Sequence, residues 1–459
     1  MKRNVWFSIL LLGVLLFFGC AQTPPVPITV TPAPAETPVP KATPAQHETT
    51  PAPTASPVPV PTPEPTPTPA PTPQTAAIGF AGDILMMETQ INNARQPDGS
   101  YDFTGSFLPV KDLFMQADMM CVNFEGALAG EEAGYSKPRP TAPPPTETNP
   151  TPKAPFQSFN SPDALADNLY ALGVDYACTA NNHSLDRGYE GLLATARCLR
   201  RTGMLQGGTY ISEEDRFTPR IMDVNGIRVG IISAAQGLNS NDGLIPSEAR
   251  HFAVTRLTKN EELLQKEFTL CREQGAEFII AFVHWGVEFE TEENSTQKKQ
   301  TEMLIAMGAD AIIGSHPHVV QPIRWAEAQR DGKDIRVPVV YSLGNFISNM
   351  SNSSKPTTQY GMFVRLCLLK ELTGEVRCDA VEYIPVYTFK QKLTDGRTLH
   401  QAVPCYEDPS MAVTAEPMDE DDLEDLQDCR THVVNAVGTA EDIRIIEWSQ
   451  TYAQQTQEP

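Results

Sequence analysis

Five short segments of this chain place polar, metal-competent side chains directly after apolar runs. They are Gly82-Asp83, Asn123-Phe124-Glu125, Asn181-Asn182-His183, His284-Trp285-Gly286 and Gly314-Ser315-His316-Pro317-His318. Carboxylates, an amide oxygen and neutral imidazoles are the donors that a pair of divalent first-row ions takes, and one carboxylate can bridge two ions. Taken singly the signals are modest. Asp83 or Glu125 alone fits a helix cap or a turn, and a lone His284 beside Trp285 fits a packed histidine. Two imidazoles bracketing a proline after Gly-Ser have little packing purpose, so His316 and His318 make the strongest single case for a metal. Asn123, Glu288, Arg324 and Asn345 are candidates for substrate contact or for support of the ligands.

The elements that must position these residues read as short apolar runs separated by helical stretches. Strands are expected at 77–82, 119–123, 175–179, 227–233, 278–283, 311–314 and 338–342, and helices at 107–116, 162–172, 189–202, 260–274 and 296–307. Nearly every candidate ligand follows the end of an expected strand, so five loops converge on one edge. Alternation of this kind predicts a layered α/β or α+β domain over about 76–389, with ligands gathered beyond the strand ends.

The rest of the 459-residue chain is of different character. Lys2 and Arg3, an apolar run from Val5 to Phe18 and then Gly19-Cys20 read as an export signal over 1–20. The run is short for a spanning helix, which needs about 20 residues; a short uncleaved anchor is the alternative. Residues 21–75 form a Pro/Thr/Ala tract that cannot bury a core and favours an extended polyproline stalk. A proline-rich insertion fills 129–156, and 390–459 reads as an acidic extension in which Leu423 and Leu426 sit on a solvated helix. The formal net charge of −22 excludes a nucleic-acid partner, which would need clustered Lys and Arg. Of nine cysteines, the eight after Cys20 fall singly without a Cys-x-x-Cys pair, so a zinc ribbon is excluded.

Gly82-Asp83, Asn123-Phe-Glu125-Gly126, Asn181-Asn182-His183-Ser-Leu-Asp186-Arg-Gly188, His284-Trp-Gly286-Val-Glu288, Gly314-Ser-His316-Pro-His318-Val-Val-Gln321 and Ser342-Leu-Gly-Asn345-Phe346 together resemble the motif set of the poly-gamma-glutamate capsule-biosynthesis (CapA) family, in family order. The resemblance implies a calcineurin-like metallophosphoesterase fold, a four-layer αββα sandwich of the α+β class with two divalent ions (Mn, Fe or Zn) between the sheets. Carried over by motif, Asp83 and His318 would hold one ion, Asn182, His284 and His316 the other, and Glu125 would bridge. His183 would be the general acid or transition-state donor, with Asp186 orienting its loop or, alternatively, capping the next helix. The phosphoesterase pattern has Asp-x-His on the first strand, whereas Asp83 is followed here by Ile84 and Leu85. Phe17-Phe18-Gly19-Cys20 is similar to a lipoprotein cleavage box, which implies a lipid on Cys20 and a place on the outer face of a bacterial cell membrane. The expected partner is an anionic envelope polymer such as poly-gamma-glutamate, or a phosphate ester. Two functions follow from the resemblance: a metal-dependent hydrolase, or a non-catalytic surface factor that binds or tethers polymer.

Overall fold

The computed structural model describes residues 72–137 and 157–447. Cys20, the export signal, all of the proline tract before residue 72 and most of the 129–156 insertion lie outside the described residues, and the last two residues of the tract as expected, Gln74 and Thr75, begin β1. Among those described, no helix is long and apolar enough to cross a membrane.

Two sheets carry the fold. The first contains β1 (Gln74–Ile84), β2 (Met119–Phe124), β3 (Tyr176–Cys178), β4 (Leu205–Gly207), β11 (Asn345–Ile347), β12 (Tyr360–Lys370), β13 (Val376–Lys392), β14 (Thr398–Pro404) and β15 (Ile443–Ile445). Its order is β14-β13-β12-β1-β2-β3-β4, with β11 on β1 and β15 on β13. The second contains β5 (Arg220–Val224), β6 (Ile227–Ala235), β7 (Phe278–His284), β8 (Ala311–Ser315), β9 (Ile323–Arg330) and β10 (Lys333–Val340), in the order β5-β6-β7-β8-β10-β9.

The period of two along a strand decides the layering. In β7, Phe278, Ile280 and Phe282 face the core shared with the first sheet, where Phe80 meets the Phe282 ring edge-on at 5.5 Å. Ile279, Ala281 and Val283 point the other way and pack with Leu264, Phe268 and Leu304 from helices Glu261–Glu273 and Ser295–Met307. Because both faces are covered, β7 is an unbroken apolar run rather than an alternating one. Helices Ala164–Ala171 and Gly188–Thr202 contribute Leu165, Leu169, Leu192 and Leu199 to the core around the first sheet. The result is the four-layer αββα sandwich that the resemblance implied.

β1, β2 and β3 are mutually parallel, as are β6, β7 and β8, so each set ends on a single edge of its sheet. Two glycines beside ligands are steric requirements of this arrangement. A Cβ on Gly82 would stand 2.0 Å from the Gly344 carbonyl oxygen, and one on Gly314 would stand 2.1 Å from the Tyr341 carbonyl oxygen. Backbone therefore lies directly on backbone where the strand ends meet the 341–345 turn.

Four expectations differ from the structure. The helix expected at 107–116 is broken into Thr104–Phe107, a 3₁₀ turn Leu108–Val110 and Lys111–Met115, because Pro109 has no N–H to continue the ladder. The strand expected at 338–342 starts earlier, since Asp331 and Gly332, at φ 52° and 75°, form a tight turn that pairs β9 with β10. The domain end expected after Phe389 falls inside β13, and β14, helix Glu420–Val437 and β15 continue the same unit. The helix expected to be solvated buries Leu426, Cys429, Val433 and Val437 on one stripe and presents its acidic residues on the other.

Candidate metal centre

Asp83 lies near the end of β1 in register with Asn123 of β2 and Asn345 of β11, so three polar side chains cross the sheet side by side. Asn123 Nδ2 donates to Asp83 Oδ1 at 2.7 Å and lies 3.3 Å from His284 Nδ1. Glu125, one residue past β2, extends into the gap between the sheets. His183 Nε2, His284 Nε2 and His318 Nε2 stand 3.8, 3.9 and 3.9 Å from Glu125 Oε1. Ligand atoms of Asp83, Glu125 and His284 all lie within 4.8 Å of one another.

Asn182 Oδ1 is 3.0 Å from His284 Nε2, and Ser315 Oγ is 3.1 Å from His284 Nδ1. The His316 ring packs on that of His284, centroids 4.6 Å apart. His318 Nδ1 is 3.0 Å from Asn345 Oδ1 and 3.2 Å from Asp83 Oδ2. His316 and His318 adopt φ 102° and 60°, conformations that a residue with a Cβ holds only when its surroundings enforce them. The enforcement comes from the 341–345 turn. Leu343 N donates to the Gly314 carbonyl at 3.0 Å and Ser342 Oγ to the Val319 carbonyl at 2.8 Å.

Neither oxygen of the buried Glu125 accepts a hydrogen bond, and the His316 Nδ1 atom, itself shielded from solvent, has no partner. A desolvated carboxylate without a hydrogen bond is unfavourable unless a cation completes it. Burial, and then the neighbouring Asp83 charge, pushes the Glu125 carboxyl well above its usual range. Burial, reinforced by the other imidazoles, holds His284 well below 6.5 and His316 down at about 3. Burial acts in the same direction on His318, but Glu125 and Asp83 outweigh it and push the ring up to about 10. Two histidines are thus kept neutral, as metal ligands must be, while the neighbouring carboxylates favour a proton on the third. The donor set fits a divalent ion.

His183 forms a dyad, with Nδ1 2.8 Å from Asp186 Oδ2 and its ring 4.5 Å from that of Phe159. Asp186 Oδ2 also accepts from Phe159 N at 2.6 Å. The next helix is entered through Arg187 without a side-chain cap, so Asp186 orients the His183 loop and is not an N-cap.

The four residues expected near substrate divide. Glu288 lines the cavity beside His183 and His318. Asn123 and Asn345 are fully buried and tie ligands together without reaching that cavity. Arg324 lies elsewhere, with Nε 3.9 Å from Glu293 and Nη1 3.4 Å from the Val437 carbonyl, because β9 sits at the far edge of the second sheet. Sequence reasoning assigned no role to Ser315 or Phe159. Ser315 stood within a quoted motif; Phe159 had no signal.

Residues 77–350, more than half of the chain, match the family described as bacterial capsule synthesis protein PGA_cap, which belongs to the calcineurin-like phosphoesterase superfamily. The chain is similar to "Capsule biosynthesis protein CapA" of Bacillus anthracis, 26% identical over 37% of this chain and 38% of that one. It is also similar to "PGA biosynthesis protein CapA" of Bacillus subtilis (strain 168), 24% identical over 37% of this chain and 41% of that one. It therefore spans less than half the length of these curated relatives. Among solved structures, the Haemophilus influenzae NAD nucleotidase NadN aligns with a TM-score of 0.36 at 12% identity, over 83% of this chain and 66% of that one. Family membership supports a capsule-related function and a site for divalent metal. With its motifs, sandwich and buried Asp/Glu/His cluster in place, the chain belongs to the bacterial capsule synthesis protein PGA_cap family.

Proposed function

We propose that this protein is an exported, lipid-anchored capsule factor that hydrolyses or transfers an anionic envelope polymer such as poly-gamma-glutamate, or a phosphate ester, at a two-ion site. Asp83 and His318 would hold one ion, Asn182, His284 and His316 the other, and Glu125 would lie between them. Divalent ions at such a site supply Lewis-acid polarisation of a phosphoryl or carbonyl oxygen and activation of water. The observation that carries the reading is Glu125, buried without a hydrogen bond, with three imidazole nitrogens within 3.9 Å of one oxygen.

The chain's own residues supply proton handling and orientation. Asp186 on Nδ1 fixes the His183 ring, which leaves Nε2 directed toward Glu125 and able to donate a proton to a leaving group. Phe159 packs on that ring and limits its rotation. Burial of His284 and His316 keeps both rings unprotonated at neutral pH.

One observation favours the second reading, a polymer-binding factor without turnover. Ile84 and Leu85, almost fully buried, stand where the phosphoesterase pattern has its first histidine. Incubation of the Mn²⁺-loaded chain with poly-gamma-glutamate and with a phosphodiester decides between them. Turnover that disappears in His183→Ala while metal is retained supports the hydrolase; retained polymer binding without turnover leaves the tethering factor. The anchor has its own test, since labelled fatty acid should enter the chain in cells and be absent from Cys20→Ser.

A further inference from the structure

Beside the metal centre lies a cavity of about 380 Å³, a size that suits a small ligand or one segment of a polymer. His183 and His318 form part of its wall, so it opens directly onto the chemistry. Its charge balance poses a problem for an anionic substrate. Asp83 and Glu125 lie behind it, Glu288 is on its rim, and the chain as a whole carries −22. Among the described residues that line it, Lys355 is the one Lys or Arg.

Lys355 does not hang loosely. Its Nζ sits 4.4 Å from the centroid of the Phe289 ring, a cation–π contact between two residues of the cavity wall. Phe289 is itself pinned, with φ 69° and its N–H donating to the Pro317 carbonyl between the two metal-site histidines at 2.8 Å.

The segment that carries Lys355 is equally ordered. Asn352 and Gln359 exchange hydrogen bonds, Asn352 N to Gln359 Oε1 at 3.0 Å and Gln359 N to Asn352 Oδ1 at 2.9 Å, which closes residues 352–359 into a loop. Lys355 N donates to the Ser351 carbonyl at 2.8 Å, and the Ser351 and Ser354 side chains line the cavity beside it. The loop base is tied to the metal centre. Asn345, whose Oδ1 holds His318, donates through Nδ2 to the Thr358 carbonyl at 2.8 Å. A cation carried on a loop closed by its own hydrogen bonds, and joined by one asparagine to a metal-site histidine, is placed for a ligand that spans both.

We propose that Lys355, flanked by Ser351 and Ser354, is an anion-binding subsite that takes a carboxylate or phosphate of the substrate next to the group held at the metal centre, and so sets polymer specificity. This rests on the reading above that the substrate is an anion. Carboxylate and phosphate share the chemistry of recognition, and the test separates them.

Binding of a γ-linked glutamate hexamer, of its uncharged methyl ester and of a glycerol-phosphate oligomer is measured on the Mn²⁺-loaded full chain, for wild type, Lys355→Glu and Lys355→Arg. A charge-assisted contact predicts that Lys355→Glu weakens the charged ligand by about tenfold or more, while Lys355→Arg stays close to wild type. The methyl ester should bind all three proteins alike, and the tenfold loss should shrink at high salt. Whichever oligomer shows the loss identifies the anion. Equal binding of the charged oligomers by wild type and Lys355→Glu overturns the subsite and leaves the metal-site reading intact. Failure of wild type to bind either charged oligomer overturns the anionic-substrate reading and the subsite with it.

Discussion

On one side of Glu125, His318 stands between Asp83 and Asn345, and the carboxyl groups of Glu125 and Asp83 push its ring up to about 10. On the other side, His284 and His316 lie against each other with rings tilted by 51°, both held neutral, and His316 Nδ1 has no partner. Both sides come from loops at strand ends, and each keeps an atom without a hydrogen bond, Asp83 Oδ2 on the first and His316 Nδ1 on the second. On the first, Asp83 Oδ2 faces the His318 ring at 3.2 Å, a contact that an ion must replace. Ile84 and Leu85, where a further imidazole would serve that side, leave it with fewer donors. On the two-ion reading proposed above, this difference predicts that the two halves fill separately.

The largest effect tests what the halves share. Glu125→Ala should remove both ions and lower turnover by at least about 10³-fold, read by elemental analysis and single-turnover assay. Loss of only one ion would mean that Glu125 belongs to one half. His183→Asn should lower kcat by about 10²–10⁴-fold with metal content unchanged if, as proposed, the dyad handles protons and holds no ion. A parallel fall in metal would make His183 a ligand.

Supporting residues sharpen the contrast. Asn345→Ala should weaken the His318 half, and Ser315→Ala the His284 half, each by about 10–100-fold in metal affinity by titration calorimetry. Equal loss from both halves in either variant would break the comparison. Protonation separates the halves again. Filling the His318 side should displace the proton that Glu125 and Asp83 favour on that ring, seen by calorimetry in buffers of differing ionisation enthalpy, whereas filling the other side should displace none from its imidazoles. The same shifts act on the metal-free protein. The stability His318 contributes is fully present below 6.5 and is lost as pH rises through about 10. The penalty of keeping His316 neutral appears as pH falls below 6.5 and grows toward about 3. The smallest effect on the site comes from far away: Leu426→Ala should cost about 2–5 kcal/mol in denaturant unfolding without changing the ratio of the two affinities.

Much of this site was legible because the ligands sit at the ends of buried strands. β7 is an unbroken apolar run that stops at His284, and β8 stops at Ser315, so burial on both faces wrote the strand and its end into the residues. β9 escaped notice for the opposite reason. It is a half-exposed edge strand whose sequence, IRWAEAQR, carries only a weak apolar signal, although the Asp331-Gly332 turn beside it was a hairpin cue. The extent of the C-terminal part was missed because its acidic residues dominate the composition, while Leu426, Cys429, Val433 and Val437 recur at helical spacing beneath them. Within the site, the residue types gave the donors but not their partners. That Asn123 and Asn345 bind other side chains rather than substrate depends on the register of β1 with β2 and β11, which the sequence alone does not reveal.

The most direct test is a metal titration of wild type, His316→Ala and His318→Ala, with bound ions counted per chain and affinities fitted separately. The account predicts two ions in wild type with distinct affinities, the tighter lost in His316→Ala and the weaker lost in His318→Ala. A single ion in wild type, or the same loss in both variants, would contradict a centre built as two unequal halves around Glu125.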